Sequence, residues 1–219
     1  MHDQSAGLEW RDGGVPVSTR FDDPYFSLEN GVAETRHVFL GGNDLPARFR
    51  DGFHVAELGF GTGLNFLVCL AAFRAADVSG RLRFTSFEAY PMAMQDLRRA
   101  LSVWPDLPAS VLTALEAFPA RLEGDDFTLE VIHGDARTAL PAWEGVADAW
   151  FLDGFSPAKN PELWAPELMA QVAAHTAPCG TAATYTAAGF VRRGLEEAGF
   201  AVTRSAGFGR KRHMTRAVL

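Results

Sequence analysis

From about His54 onward, short apolar runs alternate with longer helical segments. The runs HVAELG, RLRFTSFEA, FTLEVIHGD, AWFLDGF and TAATYTA lead in turn into LNFLVCLAAFRAA, MAMQDLRRALSVW, an Ala/Leu stretch, ELWAPELMAQVAAHT and GFVRRGLEEAG. Strands joined by helices make right-handed crossovers, so the pattern predicts an α/β fold with a parallel sheet covered on both faces. The pattern breaks at the end. FAVTRSAG and MTRAVL are two strands with only the loop GFGRKRH between them, a hairpin that makes the last strand antiparallel. With 219 residues, 47% hydrophobic and 21% charged, the chain can bury a substantial core, and disorder, collagen and coiled coil are excluded.

Residues 1–50 are mixed polar and aromatic, with turn signals at Asp12-Gly13-Gly14, Pro24, Asn30-Gly31 and Gly41-Gly42. Val32, Thr35, Arg36 and Phe39 recur at helical spacing, which predicts a helix from about Glu29 to Leu40. The block reads as an N-terminal cap on a domain spanning 51–219. The longest apolar run, Leu64 to Phe73, falls well short of the roughly 20 residues that cross a bilayer. The N-terminus lacks the basic and apolar regions of a secretory signal. Cys69 and Cys179 have no CxxC or Cys/His spacing, and the six histidines form no HxxxH pair. Free thiols in a reducing cytoplasm and no metal are expected.

Charge is uneven. The net charge is −7, yet residues 191–219 carry 7 basic and 2 acidic groups against 13 basic and 25 acidic in the remainder. The acidic average argues against nucleic-acid binding while the basic tail argues for it.

The turn after the first of these strands reads Glu57-Leu58-Gly59-Phe60-Gly61-Thr62-Gly63 and opens into LNFLVCL. Glycines there let the backbone approach a ligand at a helix N-terminus. The spacing is acidic-x-G-x-G-x-G, not the G-x-G-x-x-G of a dinucleotide site. An acid in front suits a ligand with a positive amino group, such as the methionine moiety of S-adenosylmethionine. A turn serving only strand–helix packing is the alternative. Glu88, Asp135 and Asp153 end or follow the next three strands, where a doubly wound sheet aims ligand-binding groups at one crevice. Glu88 suits ribose hydroxyls and Asp135 the adenine amino group. The expected cofactor set is Glu57, Gly59, Phe60, Gly61, Thr62, Gly63, Asn65, Glu88, Asp135 and Ala136.

Asp153-Gly154-Phe155-Ser156-Pro157 is the expected catalytic element. A carboxylate beside a carbonyl can hold an amine by its N–H groups, with Asp153 taking the proton or stabilising the developing ammonium. Phe155 could stack on a flat acceptor or belong to the core. No G-x-S-x-G elbow is present and Cys179 has no base partner, so covalent catalysis is unsupported. The loop Arg210-Lys211-Arg212 falls at the far end of a strand parallel to the rest, hence on the crevice side. Arg192 and Arg193 begin the preceding helix on that side, and the only other lysine, Lys159, follows the Asp153 strand. Phosphate contact by these groups is expected, against the alternative of a solvated surface cluster. Gly154, Tyr25 and Phe26 are expected to help shape the acceptor pocket.

The strings ELGFGTGLNFL, SFEAYP, LDGFSPAKNPELW, TYTAAGFVRRGL, AGFGRKRHM and FDDPYFSLENGVAETRHVFLGGN closely resemble the methyltransferase part of the bifunctional tRNA wobble-uridine enzymes, the MnmC family, and its stand-alone MnmD relatives. The resemblance runs from about Leu8 to Leu219. It implies a class I S-adenosylmethionine-dependent methyltransferase fold with strand order 3-2-1-4-5-7-6. The implied reaction is N-methylation of 5-aminomethyl-2-thiouridine at the wobble position of the tRNA anticodon. By motif, Asp153 matches the family's catalytic aspartate, and Glu57, Gly59, Gly61, Glu88 and Asp135 match its cofactor motifs. The bifunctional enzymes continue into an FAD-dependent oxidase that this sequence is expected to lack, so a separate oxidase or upstream wobble-uridine enzymes would supply the aminomethyl group. Cys179-Gly180 stands where two glycines are usual, with little effect expected. The main rival is a methyl- or aminopropyl-transferase acting on a small free amine, which would place further acids around the acceptor and leave the basic loop unexplained. A non-catalytic tRNA-binding module has no need of Glu88, Asp135 and Asp153 together.

Overall fold

The computed structural model describes residues 6–27, 30–115 and 117–219. The segment after His54 folds as β4 (His54–Leu58), α2 (Leu64–Ala75), β5 (Leu82–Glu88), α3 (Met94–Leu101), β6 (Ala120–Glu123), β7 (Phe127–His133), α4 (Ala136–Ala139), β8 (Ala147–Leu152), α5 (Pro166–Ala174), β9 (Thr176–Thr184), α6 (Gly189–Glu197), β10 (Ala201–Ala206) and β11 (His213–Val218). Its sheet has the order β6-β7-β5-β4-β8-β9-β11-β10. Strands β7, β5, β4, β8 and β9 are parallel, and β11 lies antiparallel between β9 and β10. Counted from β4 without β6, this is the order 3-2-1-4-5-7-6. Strand β6 is an addition, a short antiparallel edge on β7. Its four residues alternate only between half-buried and exposed, too weak a pattern to read as a strand from sequence.

Alternation along each strand sends Val55 and Phe151 to the face covered by α2 and α3, and Ala56 and Trp150 to the face covered by α5 and α6. Phe66 of α2 packs on Phe84 of β5 and Phe127 of β7 at ring separations of 5.3 and 5.5 Å. The Ala/Leu stretch after β7 makes only the one turn of α4 and a 3-10 turn over Leu140–Ala142. Pro141 has no N–H to continue the α-helical ladder.

The N-terminal residues form a separate three-stranded sheet from β1 (Leu8–Arg11), β2 (Val15–Ser18) and β3 (Asp23–Pro24), and then α1 (Gly31–Thr35). Asn30 caps α1 by accepting from the Ala33 N–H at 2.9 Å. The helix widens into a π-turn over Arg36–Leu40 and tightens to a 3-10 turn over Gly41–Asn43. The helix start expected at Glu29 lies outside the described residues. Val15, Phe26, Val38, Phe39 and Leu40 join the same core as α2 and β4. Arg48 closes the attachment, donating to the carbonyls of Asn43, Asp148 and Cys179. The last of these lies in an irregular stretch of β9, where register slips against β8 and Cys179 takes a left-handed φ of 62°.

Candidate active site

A cleft of about 770 Å³ opens at the carboxyl ends of β4, β5, β7 and β8. Its wall includes Gly59, Phe60, Gly61, Thr62 and Asn65 from the glycine turn, Glu88 after β5, Asp135 and Ala136 after β7, and Asp153, Gly154 and Phe155 after β8. Parallel strands bring these turns together because every crossover returns the chain to the same edge. Tyr25 and Phe26 close one side, and Arg210 and Lys211 reach the rim from the β10–β11 loop.

The glycine turn is shaped by contacts that side chains would block. Gly59 has φ +88°, and a Cβ there would sit 2.9 Å from the Asp153 carbonyl oxygen. Gly61 has φ +54°, and a Cβ there would press the Tyr25 ring at 3.2 Å. Gly63, the left-handed N-cap of α2, turns the chain and is not on the wall.

The acids differ in their surroundings. Glu57 is fully buried and is not on the cleft wall. It accepts from Asn65 Nδ2 at 2.9 Å and from Ser86 Oγ at 2.7 Å, and burial holds its carboxyl well above the usual range. Of that pair, Asn65 is the one on the cleft wall. Its amide also donates to Asp153 Oδ2 at 2.7 Å, and its oxygen accepts from Thr35 Oγ1 at 2.7 Å. Asp153 takes a second bond from the Gly154 N–H at 2.9 Å. Burial pushes the Asp153 carboxyl up to about 7. The charge of Glu34 adds to the rise, while the bonds from Asn65 and Gly154 and the charge of Lys211 oppose it.

Glu88 accepts from the N–H groups of Gly61 and Tyr90 at 2.8 and 2.7 Å, one on each oxygen. Burial still raises it. Asp135 caps α4 through the Arg137 N–H and pairs with the Arg137 guanidinium at 2.5 Å, which holds its carboxyl below the usual range. Phe155 is part of an aromatic wall, stacked on Phe21 at 4.6 Å and edge-on to Tyr25 at 5.0 Å. Phe26 packs behind it on Trp104.

The basic groups divide. Lys159 pairs with Asp22 at 3.0 Å and lies near Asp23, so it ties the loop after β8 to the N-terminal segment. Lys211 pairs with Glu34 at 2.7 Å. Arg192 and Arg212 lie off the cleft wall. With Arg204 they reinforce the desolvation that holds His213 below its ordinary value.

A sequence model for a family described as S-adenosyl-L-methionine-dependent methyltransferases matches residues 100–219, just over half of the chain. The chain belongs to that methyltransferase family. It is 48% identical over its full length to the tRNA 5-methylaminomethyl-2-thiouridine biosynthesis bifunctional protein MnmC of Caulobacter sp. (strain K31). It is 45% identical over 99% of its length to the protein of the same name from Stutzerimonas stutzeri (strain A1501). The chain spans only 39% and 35% of these curated relatives. The crystal structure of MNMC2 from Aquifex aeolicus matches 97% of the chain and is itself 70% covered, with a TM-score of 0.78 at 27% identity.

The methyltransferase's cleft suits its methyl donor. Glu88 lies on the cleft wall with its carboxylate anchored by backbone N–H groups, an acceptor suited to ribose hydroxyls. Asp135, Asp153 and Glu88 surround the cleft with negative charge that favours a cationic sulfonium. Sequence reasoning assigned no role to Phe21, Asp23, Glu34 or Tyr185, all of which line the cleft. All four lie in the strings that carry the family resemblance, which is the signal that could have found them.

Proposed function

We propose that this methyltransferase transfers a methyl group to the amine of 5-aminomethyl-2-thiouridine at the wobble position of tRNA. The observation that carries the reading is Asp153, fixed by Asn65 and Gly154 between the glycine turn and the Phe155 wall. The two bifunctional relatives, named for tRNA 5-methylaminomethyl-2-thiouridine biosynthesis, together with Arg210 and Lys211 at the rim, support tRNA as the acceptor. The substrate tRNA must already carry a free aminomethyl group, which an FAD-dependent oxidase or other upstream wobble-uridine enzymes would produce. The cytoplasm, where tRNA is modified, is the expected compartment, and no helix among the described residues is long and apolar enough to cross a membrane.

S-adenosylmethionine, when bound, supplies a methyl group on a positively charged sulfur that leaves as a neutral thioether. The chain's residues have to deliver a neutral amine to it. Glu88 holds the ribose, Asp135 the adenine amino group, and the glycine turn admits the donor close to the backbone. Asp153 orients the amine through its N–H groups and takes the proton that the nitrogen must shed. A carboxyl raised to about 7 is well matched to that exchange near neutrality. Phe155 and Tyr25 flank the uracil plane, and orientation supplies much of the rate. Arg210 and Lys211, with Arg192, Arg212 and Lys159 further out, meet the phosphates.

A small free amine is the second reading, and the acids Glu34 and Asp23 on the wall favour it. Methyl transfer from labelled S-adenosylmethionine to tRNA lacking the final methyl, followed by nucleoside analysis, decides between them. Labelled 5-methylaminomethyl-2-thiouridine at the wobble position is expected. No label on that tRNA, with donor binding demonstrated, would overturn the tRNA reading and favour the small amine.

A further inference from the structure

Lys211 presents a primary ammonium on a methylene inside the cleft. Its Nζ lies 2.7 Å from Glu34 Oε1 and 4.0 Å from the centre of the Tyr185 ring. Glu34 is well covered, with its side chain 14% exposed, so the ion pair is partly desolvated. Tyr185 is held in place because its hydroxyl donates to the Gly154 carbonyl at 2.7 Å, one residue from Asp153. Burial raises the Tyr185 hydroxyl, which keeps it a donor. Glu34 and Lys211 both act electrostatically on Asp153. A carboxylate on one side and an aromatic face on the other is a binding arrangement for an alkylammonium ion. The molecule therefore displays, with its own lysine, the chemical group that the proposed acceptor carries.

We propose that Glu34 and Tyr185 form the subsite for the acceptor's CH2–NH3+ group, and that Lys211 occupies this subsite until the acceptor displaces it. The identity of the acceptor rests on the function proposed above; the ammonium subsite does not. Lys211 is then a cover as well as a phosphate ligand. A polyanionic substrate draws its ammonium toward phosphate and uncovers Glu34 in the same movement. Glu34 receives the cationic amine at the rim, and the amine gives up its proton at Asp153 beyond it. Glu34 is thus a specificity-determining residue that selects a charged primary amine over a neutral acceptor.

Ethylammonium chloride serves as a probe that needs no tRNA. Its binding is followed by calorimetry and by the Tyr185 ring resonances in the full chain. Lys211→Met removes the competing ammonium while keeping the stem, so ethylammonium should bind about ten- to a hundredfold more tightly than to the wild type. Adding Glu34→Gln to that variant should abolish the gain. A purely structural ion pair would make the two single variants behave alike, whereas the subsite makes them diverge in sign. Equal ethylammonium affinity in wild type and Lys211→Met, or affinity unaffected by Glu34→Gln, would overturn the proposal. In turnover, Glu34→Gln should raise KM for aminomethylated tRNA about tenfold or more while leaving the affinity for S-adenosylmethionine unchanged. If the wild type leaves that tRNA unmethylated, the proposed function fails while the ethylammonium titration still judges the subsite.

Discussion

The floor and the rim of the cleft hold their charges in different ways. On the floor, Glu88 and Asp153 are bonded to Asn65 and backbone N–H groups, and burial raises both carboxyls. On the rim, Asp135 pairs with Arg137 and Lys211 with Glu34. Neutral donors on the floor orient carboxylates without cancelling their charge, which leaves them available to a cationic ligand. The Asp135–Arg137 pair is exposed on both sides, where a pair contributes only about 0–1 kcal/mol, and the Lys211 ammonium is half exposed although Glu34 beneath it is covered, so both pairs can exchange partners. The floor is built for fixed geometry, and the rim for arrival and departure of a charged substrate.

The sharpest way to break that contrast is to remove the floor's central acid. Asp153→Ala should lower kcat on aminomethylated tRNA by about a thousandfold or more with donor binding retained, measured by label transfer and calorimetry. Unchanged turnover would remove Asp153 from the chemistry. Glu88→Gln comes next. It replaces one acceptor oxygen with an amide that cannot accept from both backbone N–H groups and a hydroxyl, so donor affinity should fall about ten- to a hundredfold by titration. Asp135→Asn, at the exposed ion pair of the rim, should cost less than Glu88→Gln in the same titration.

The pH profile sharpens the comparison further. Asp153 must be ionised to take a proton, and its carboxyl lies at about 7 in the free enzyme. The value of kcat/KM should therefore fall about tenfold per unit as pH drops below 7 and level off above it. The sign for folding is opposite. A carboxyl raised by folding holds its proton better in the folded chain, so its contribution to stability is present below the ordinary carboxylate value and lost as pH rises through about 7. A flat acid limb would show that the floor does not hold Asp153 as described.

The smallest effect lies away from both regions. Cys179 is exposed at φ 62°, a backbone conformation that costs a non-glycine residue about 1–2 kcal/mol. Cys179→Gly should raise the unfolding free energy by about 1 kcal/mol in denaturant titration and leave methyl transfer unaltered. A loss of activity there would mean that the irregular stretch of β9 is coupled to the cleft.

Much of this was legible in the residues themselves. The period of the apolar runs gave away the parallel sheet, and the missing helix between FAVTRSAG and MTRAVL disclosed its antiparallel strand. Gly59, Gly61, Glu88, Asp135 and Asp153 stood at strand ends, and strand ends converge by topology, so their arrival on one wall follows from local pattern alone. Strand β6 and the three-stranded N-terminal sheet were not legible, because strands of two to four residues show no usable alternation.

Partner choice was decided only by the tertiary structure. Glu57 and Asn65 are 8 residues apart, but which of them faces the cleft depends on how tightly α2 packs on β4. Lys211 and Glu34 are separated by 177 positions, and Lys159 and Asp22 by 137. A charge in a sequence has a sign and a reach, but its partner is whichever opposite charge the packed chain brings within a few ångströms. The residue types and their order thus determined the fold and the acids at its switch point. Which of those acids stayed open to a ligand was settled by long-range packing.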